Sequence, residues 1–180
     1  LLLIHSINAA ASAYEVAPIF ERQRRTHRVY APDLPGFGFS DRSARHYDPR
    51  LYTDAIHDML DEIEAQEGIQ PVDALAISLA AEFLARAAVE RPERVGRLVL
   101  VTPTGFARGA DRLREPAGTN REIPGLHAFV SFPLWGRALF DLLVSRPSIG
   151  FFLRKTFGRD DIDPGMIDYA YATAHQPGAA

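Results

Sequence analysis

Apolar runs and amphipathic runs alternate between Leu1 and Val101, and this alternation restricts the chain to few folds. Leu1–His5 is a continuous apolar run without helical period, which reads as a strand buried on both faces. Ser12-Ala13-Tyr14-Glu15 matches a capping box, with Ser12 capping a helix and Glu15 reaching back. Val16, Ile19 and Phe20 follow at helical spacing, and Arg22, Arg24 and Arg25 sit where the helix dipole favours cations. His27–Ala31 reads as a second short strand. A helix over Thr53–Gln66 carries an apolar stripe of Ala55, Ile56, Met59, Leu60 and Ile63, and Gly68 suits its stop. Val72–Ala76 is a third strand, Leu79–Arg91 a helix ended by Pro92, and Val95–Val101 a fourth strand. Strands and helices taken in turn imply an α/β fold: a mostly parallel sheet with helices on both faces.

The rhythm changes after Thr102. Residues 103–125 are rich in Gly, Pro and Arg and read as loop, with Arg108, Arg112 and Arg114 near Asp111 and Glu115 as a solvated face. From Leu126 to Phe157 come apolar helical stretches broken at Pro133, Pro147 and Gly150, and a helix over Ile167–His175 is opened by Asp163-Pro164. The expected division is a core over residues 1–105 and a helical segment laid over the sheet in 106–180. The chain starts without Met inside an apolar run and stops at Gln176-Pro177-Gly178-Ala179-Ala180 with no closing strand. The reading therefore expects an incomplete fold.

Composition removes several classes of function. The 180 residues, 47% hydrophobic, suffice for one domain with a sizeable core. A net charge of -3 gives no basic face for nucleic acid. Cysteine is absent, which excludes disulfides, CxxC motifs and thiolate zinc sites, and a cytoplasmic location is the expectation. No apolar run approaches the roughly 20 residues of a membrane span, and Leu1-Leu2-Leu3-Ile4 is too short for a signal-peptide core, so no membrane partner is expected. His5, His27, His46 and His57 show no metal-ligand spacing, and Gly36-Phe37-Gly38 lacks the third glycine of a dinucleotide site. No metal and no cofactor is expected. The expected partner is a small-molecule substrate.

The segment with chemistry is Ala76-Ile77-Ser78-Leu79-Ala80. A strand ends at Ala76 and a helix begins near Leu79. A serine on such a turn is pushed out at the C-terminal edge of the sheet, where open α/β sheets bind ligands. The turn is sharp, so the positions two before and two after the serine must be small; both are alanine here. The helix start offers backbone N–H groups and a positive dipole end that can stabilise an oxyanion. The competing reading is a serine that caps the helix after it.

Four segments resemble the α/β-hydrolase superfamily, in particular its cap-bearing branch of epoxide hydrolases, haloalkane dehalogenases and C–C bond hydrolases. Leu2-Leu3-Ile4-His5-Ser6-Ile7-Asn8 resembles the strand-end motif His-Gly-x-Pro. The run from Tyr30 through Asp33, Gly36, Gly38 and Ser40 to Asp41 is a close match to the Asp-x-x-Gly-x-Gly-x-Ser loop. Ala76–Ala80 sits at the nucleophile elbow, and Arg94–Val101 resembles the next strand. The resemblance covers residues 1 to about 106, and the helical remainder resembles a cap domain loosely. It implies an oxyanion hole from the N–H groups of Leu79 and Ile7, with His5 and Ser6 lining the pocket. Ser6 stands where the family has glycine, and Asn8 where it has proline. Serine at position 78 points away from epoxide hydrolases and dehalogenases, which use aspartate there, and toward acyl transfer on esters, thioesters, amides or C–C bonds.

The order in this fold is nucleophile, acid, histidine. Only His127 and His175 follow Ser78, and neither follows a strand. His127 reads as a packed helix residue and His175 as a dipole-favoured helix end. Thr102-Pro103-Thr104 offers no carboxylate. The expectation is a serine hydrolase in which Ser78 attacks an acyl carbonyl, whose histidine and acid lie beyond Ala180, and which is inactive over these 180 residues alone. The alternative, suggested by Ala76, Ala80, Ser6 and Asn8, is a non-catalytic fold relative that binds a small molecule or partner. Phe129, Phe132, Trp135, Phe140, Phe151 and Phe152 read as the core of the helical segment or the wall of an acyl pocket.

Overall fold

The computed structural model describes residues 1–104, 125, 129, 132 and 134–179. Three strands, β1 (Leu2–Ile4), β2 (Val72–Ile77) and β3 (Val95–Val101), form a parallel sheet in the order β1-β2-β3. The strand expected over His27–Ala31 is reduced to a single parallel bridge from Tyr30 to Leu2. Leu3 N–H donates to Tyr30 O at 2.8 Å and Tyr30 N–H to Leu1 O at 2.9 Å. Pro32, with no N–H to donate, follows two residues later and cuts the ladder short.

Both faces of the sheet carry helices. Leu2, Ile4, Val72, Ala74 and Ala76 face α2 (Pro49–Glu67) and α3 (Ala80–Glu90), meeting Ile56, Leu60, Ile63, Phe83, Leu84 and Ala87 in one core. Ala74 and Ala76 are wholly buried, and so is Ala80; small side chains let the helix start lie close to the strand. On the opposite face α1 (Ala17–Gln23) places Ile19 and Gln23 over Leu3, Leu75 and Val99 around a cavity of about 250 Å³.

Local signals set the helix ends. Asp48 caps α2 by accepting the Leu51 N–H at 2.8 Å, Pro49 occupies the first turn, and Gly68 closes the helix at φ 82°. Tyr52 of α2 stacks on Phe83 of α3 with centroids 4.9 Å apart. Arg50 forks onto Glu90 at 2.6 and 3.0 Å, and the His57 Nε2 meets the same carboxylate at 3.0 Å.

Residues 134–179 are helical: α4 (Gly136–Leu143), α5 (Arg146–Phe157) and α6 (Pro164–Ala174). The interruption falls at Val144–Ser145 and not at Pro147 or Gly150. Pro147 lies in the first turn of α5, where its missing N–H would have had no helical partner. Gly150 is buried, and a Cβ there would meet the Ile167 side chain at 3.4 Å, so it is a packing position. Pro133 and the arginine-rich segment with Arg108, Arg112 and Arg114 lie outside the described residues. Helix α6 opens with Asp163 accepting the Gly165 N–H at 2.9 Å. It docks on the first half of the chain through Tyr14–Asp163 (3.0 Å), Tyr14–Tyr169 (5.1 Å between rings) and Phe39–Tyr169 (5.4 Å). Among the described residues no helix is long and apolar enough to cross a membrane.

Candidate active site

The register of the sheet brings the interesting loops together. Ile4 pairs with Ala76, and Ile77 with Val101, so the chain segments after β1, β2 and β3 leave one edge side by side. Parallel neighbours lie about 4.8 Å apart, which puts the loop at Ile7 next to the turn at Ser78.

Ser78 has φ 57°, a left-handed conformation that a non-glycine residue adopts only under constraint. The constraint is visible. The Ser78 N–H donates to Val101 O at 2.9 Å, its carbonyl accepts from the Ala81 N–H at 3.1 Å, and α3 begins two residues later. The helix-cap reading of Ser78 does not hold. The residue before α3 is Leu79 with helical φ -62°, and no side chain caps this end. An N-cap serine would be extended and would accept a helix N–H. Thr102, the next residue on the neighbouring strand, is also left-handed at φ 44°. Nothing in the residues around Thr102 announces that conformation.

The loop after β1 is held by two side chains. His5 is wholly buried, and burial pushes its pKa below the usual histidine value. Its Nε2 lies 3.0 Å from the Leu34 N–H and must accept, so the ring proton is on Nδ1 and is donated to Ser6 O at 2.6 Å. The Ser6–Ile7 peptide is trans, so pinning its carbonyl to His5 aims the Ile7 N–H the opposite way. Among the described residues the N–H groups of Ile7 and Leu79 donate to no hydrogen-bond acceptor.

The second support is Glu15. Its carboxylate accepts from Ser6 N–H at 2.7 Å, from Ser6 Oγ at 2.8 Å and from Asn8 Nδ2 at 3.1 Å. The capping box expected at Ser12–Glu15 is therefore not formed: Ser12 makes no side-chain cap, and Ala13–Val16 is a 3-10 turn leading into α1. Three donors on one short loop outcompete a single N–H within the helix start. Asn8 also accepts the Ala10 N–H at 3.0 Å, and the two departures from the family motif, Ser6 and Asn8, are thus fully engaged.

His5 and Ser6, the buried start of this loop, are not among the residues that bound the two cavities beside it. One, of about 310 Å³, is bounded by Asn8, Glu15, Leu143, Phe152, Met166 and Ala170. The other, of about 270 Å³, is bounded by Phe37, Arg42, Tyr47, Tyr52, Phe140 and Ala174. Of the aromatic residues in the second half, Phe152 and Phe140 border cavities, and Phe129, Phe132, Trp135, Phe151 and Phe152 are all exposed. Arg42 joins the halves: it donates to Gly36 O, to Gly38 O at 2.7 Å and to Thr173 O at 2.9 Å, and burial lowers its pKa.

No described histidine is hydrogen-bonded to Ser78. His57 is taken by Glu90, and His175 donates from Nδ1 to Tyr171 O at 2.7 Å while stacking on that ring at 4.0 Å. His127 lies outside the described residues.

Comparison with known proteins agrees with this fold. The family model described as alpha/beta hydrolase fold matches residues 1–173. The chain is 34% identical over 107 residues to 2-hydroxymuconate semialdehyde hydrolase of Pseudomonas putida, covering 59% of this chain and 37% of that protein. It is 28% identical over 145 residues to 2-hydroxy-6-oxo-2,4-heptadienoate hydrolase of P. putida, covering 77% and 50%. Among solved structures it is similar to a serine hydrolase involved in carbazole degradation, with TM-score 0.66 at 20% identity over 99% of this chain and 56% of that one. Cfl2 of Burkholderia cenocepacia gives TM-score 0.69 at 23% identity over 99% and 58%. The chain spans between 37% and 50% of the length of these two curated relatives.

Proposed function

Because the chain belongs to the alpha/beta hydrolase fold family, we propose that it is the nucleophile-bearing part of a serine hydrolase acting on an acyl bond of a small molecule. One observation carries the reading: Ser78 is held at φ 57° on the turn between β2 and α3. That strain has no use in a helix cap, and it is the conformation that lifts a serine hydroxyl off the sheet edge. The matched hydrolases support a substrate with a polarised carbonyl, C–C bonds flanked by carbonyls included.

In this reading Ser78 Oγ attacks the carbonyl carbon and gives its proton to a histidine. The carbonyl oxygen becomes an oxyanion between the N–H groups of Leu79 and Ile7. Collapse expels the leaving group, which takes the proton back, and water then releases the acyl group by the same steps. Donors fixed before the reaction stabilise the developing charge without reorganisation. No described histidine is placed to serve Ser78 as that base. The 180-residue chain alone is then a slow nucleophile. Residues 106–180, through α4–α6, act as a cap over the core of residues 1–105; neither cavity at the junction is bounded by Ser78, Leu79 or Ile7.

Against the alternative, a non-catalytic relative that binds a small molecule or partner, stand the packing and bonding of the residues that suggest it. Ala76 and Ala80 fit the elbow fully buried, and Ser6 and Asn8 are built into the Glu15 network. The test is a fluorophosphonate probe on the protein expressed from its full reading frame, with the modified peptide located by mass spectrometry. Label on Ser78, lost in Ser78→Ala, supports the reading. An unlabelled protein, or label at another residue, rejects it.

A further inference from the structure

We propose that Glu15 is a positioning residue for the oxyanion donor at Ile7, a claim that rests on the Ser78 reading above. The loop from His5 to Asn8 presents two consecutive peptide units. The first, His5–Ser6, is held through its N–H, which donates to Glu15 at 2.7 Å. The second, Ser6–Ile7, is held through its carbonyl, which accepts from His5 at 2.6 Å. The Ile7 N–H belongs to that second unit. Its direction therefore depends on two anchors, one on each side of the Ser6 Cα.

The anchors differ in kind. His5 is on the strand end itself, buried and paired with Leu34. Glu15 comes from the next element, the 3-10 turn Ala13–Val16, and reaches back nine residues. Where a glycine would leave the loop free to rotate, Ser6 adds a hydroxyl that donates to Glu15 at 2.8 Å and accepts from Asn8 at 2.8 Å. The carboxylate thus holds Ser6 by two bonds and Asn8 by one. Charge-assisted bonds of this kind are the strong ones, and they replace the rigidity that proline would give at position 8. The turn carrying Glu15 is itself tethered. Ala13 N–H donates to Asp33 at 2.7 Å, and Tyr14 packs on Tyr169 of α6.

The test compares wild type, Glu15→Ala and Glu15→Gln in the protein from the full reading frame. Two readouts are taken: the rate of Ser78 labelling by a fluorophosphonate, and the amide proton shift of Ser6 and Ile7 by NMR. Removing one oxyanion donor outright costs about 10²–10³ in rate, so freeing its direction is expected to slow labelling by about 10- to 100-fold in Glu15→Ala. Glu15→Gln keeps an acceptor for Ser6 N–H and is expected to recover most of that loss. The Ser6 amide proton, downfield in wild type, moves upfield in Glu15→Ala. A helix-packing role alone would change melting temperature without moving Ile7 or the labelling rate at a temperature where every variant is folded. Should Glu15→Ala fail to fold, Glu15→Gln decides: a folded Gln variant whose Ser6 amide keeps its wild-type shift while Ser78 labelling slows 10-fold or more overturns the proposal. Wild-type labelling speed in Glu15→Ala overturns it while leaving Ser78 standing as nucleophile. Absence of label on Ser78 in wild type overturns both.

Discussion

Asp33 and Gly38 occupy one small space: a Cβ on Gly38 would lie 1.9 Å from Asp33 Cγ and 2.0 to 2.1 Å from its two oxygens. The reason is that Asp33 is the hub of the loop. Its Oδ2 accepts the Phe39 N–H at 2.9 Å, and its Oδ1 accepts the Ala13 N–H at 2.7 Å. Gly38 also has φ +54°. Gly38→Ala is therefore expected to destabilise by about 2–4 kcal/mol, combining backbone strain with the loss of the Asp33 acceptor bonds. Urea unfolding monitored by the Trp135 emission and by circular dichroism measures it. A variant as stable as wild type would contradict the crowding.

Ser78 stores strain of the opposite sign. A left-handed non-glycine residue costs about 1–3 kcal/mol, part of which glycine recovers and part of which it returns as entropy of the unfolded chain. Ser78→Gly is expected to raise stability by about 1 kcal/mol while removing all labelling at this position. Thermal unfolding of Ser78→Gly beside Ser78→Ala separates the strain from the hydroxyl, since alanine keeps the strain. Equal melting temperatures for the two variants would show that the turn is relaxed.

His5 sets a pH dependence. Burial holds its folded pKa below the ordinary value of 6.5, so the unfolded chain takes up a proton first as pH falls. Its contribution is fully present above pH 6.5 and is lost as pH drops from there toward the folded pKa, at up to about 1.4 kcal/mol per pH unit. His5→Gln keeps an acceptor for the Leu34 N–H and cannot titrate. That variant is expected to be less stable at pH 7.5 and to lose less between pH 6.5 and 5. Parallel slopes for variant and wild type would remove His5 as the source.

The alternation of strands and helices up to Val101 was legible because each strand is a short, mostly apolar run, interrupted only by Asp73 in β2 and Gly96-Arg97 in β3, and the long helices α2 and α3 have their stripes. The sharp turn at Ser78 was legible from Ala76 and Ala80, which leave room for it. The Ser12–Glu15 spacing misled because a four-residue pattern carries no information on donors nine residues away, and Ser6 and Asn8 are better partners than a helix N–H. Tyr30 makes one bridge and no strand, since Pro32 ends the ladder. The joint made by Arg42 with Thr173 spans 131 residues, and no local pattern encodes it.

Glu90 joins α2 to α3 in a way that acid should undo. Hydrogen bonds from Arg50, and then from His57, pull its pKa from 4.5 down to about 2. A carboxylate depressed in the folded state contributes stability that is present above the unfolded value and lost as pH falls through the folded one. The window here runs from about pH 4.5 down to about 2. Glu90→Gln keeps the shape and removes the charge, so the variant is expected to be less stable than wild type at pH 7. The gap should narrow across that window and close near pH 2. Glu90 is exposed, so salt screens the pair, and 1 M NaCl should shrink the gap at pH 7 as well. Urea midpoints at pH 7, 4 and 2.5, with and without salt, provide the comparison. A gap that stays constant from pH 7 to 2.5 would mean that the packing of α2 on α3, led by the stacked Tyr52 and Phe83, holds the pair without help from the charge.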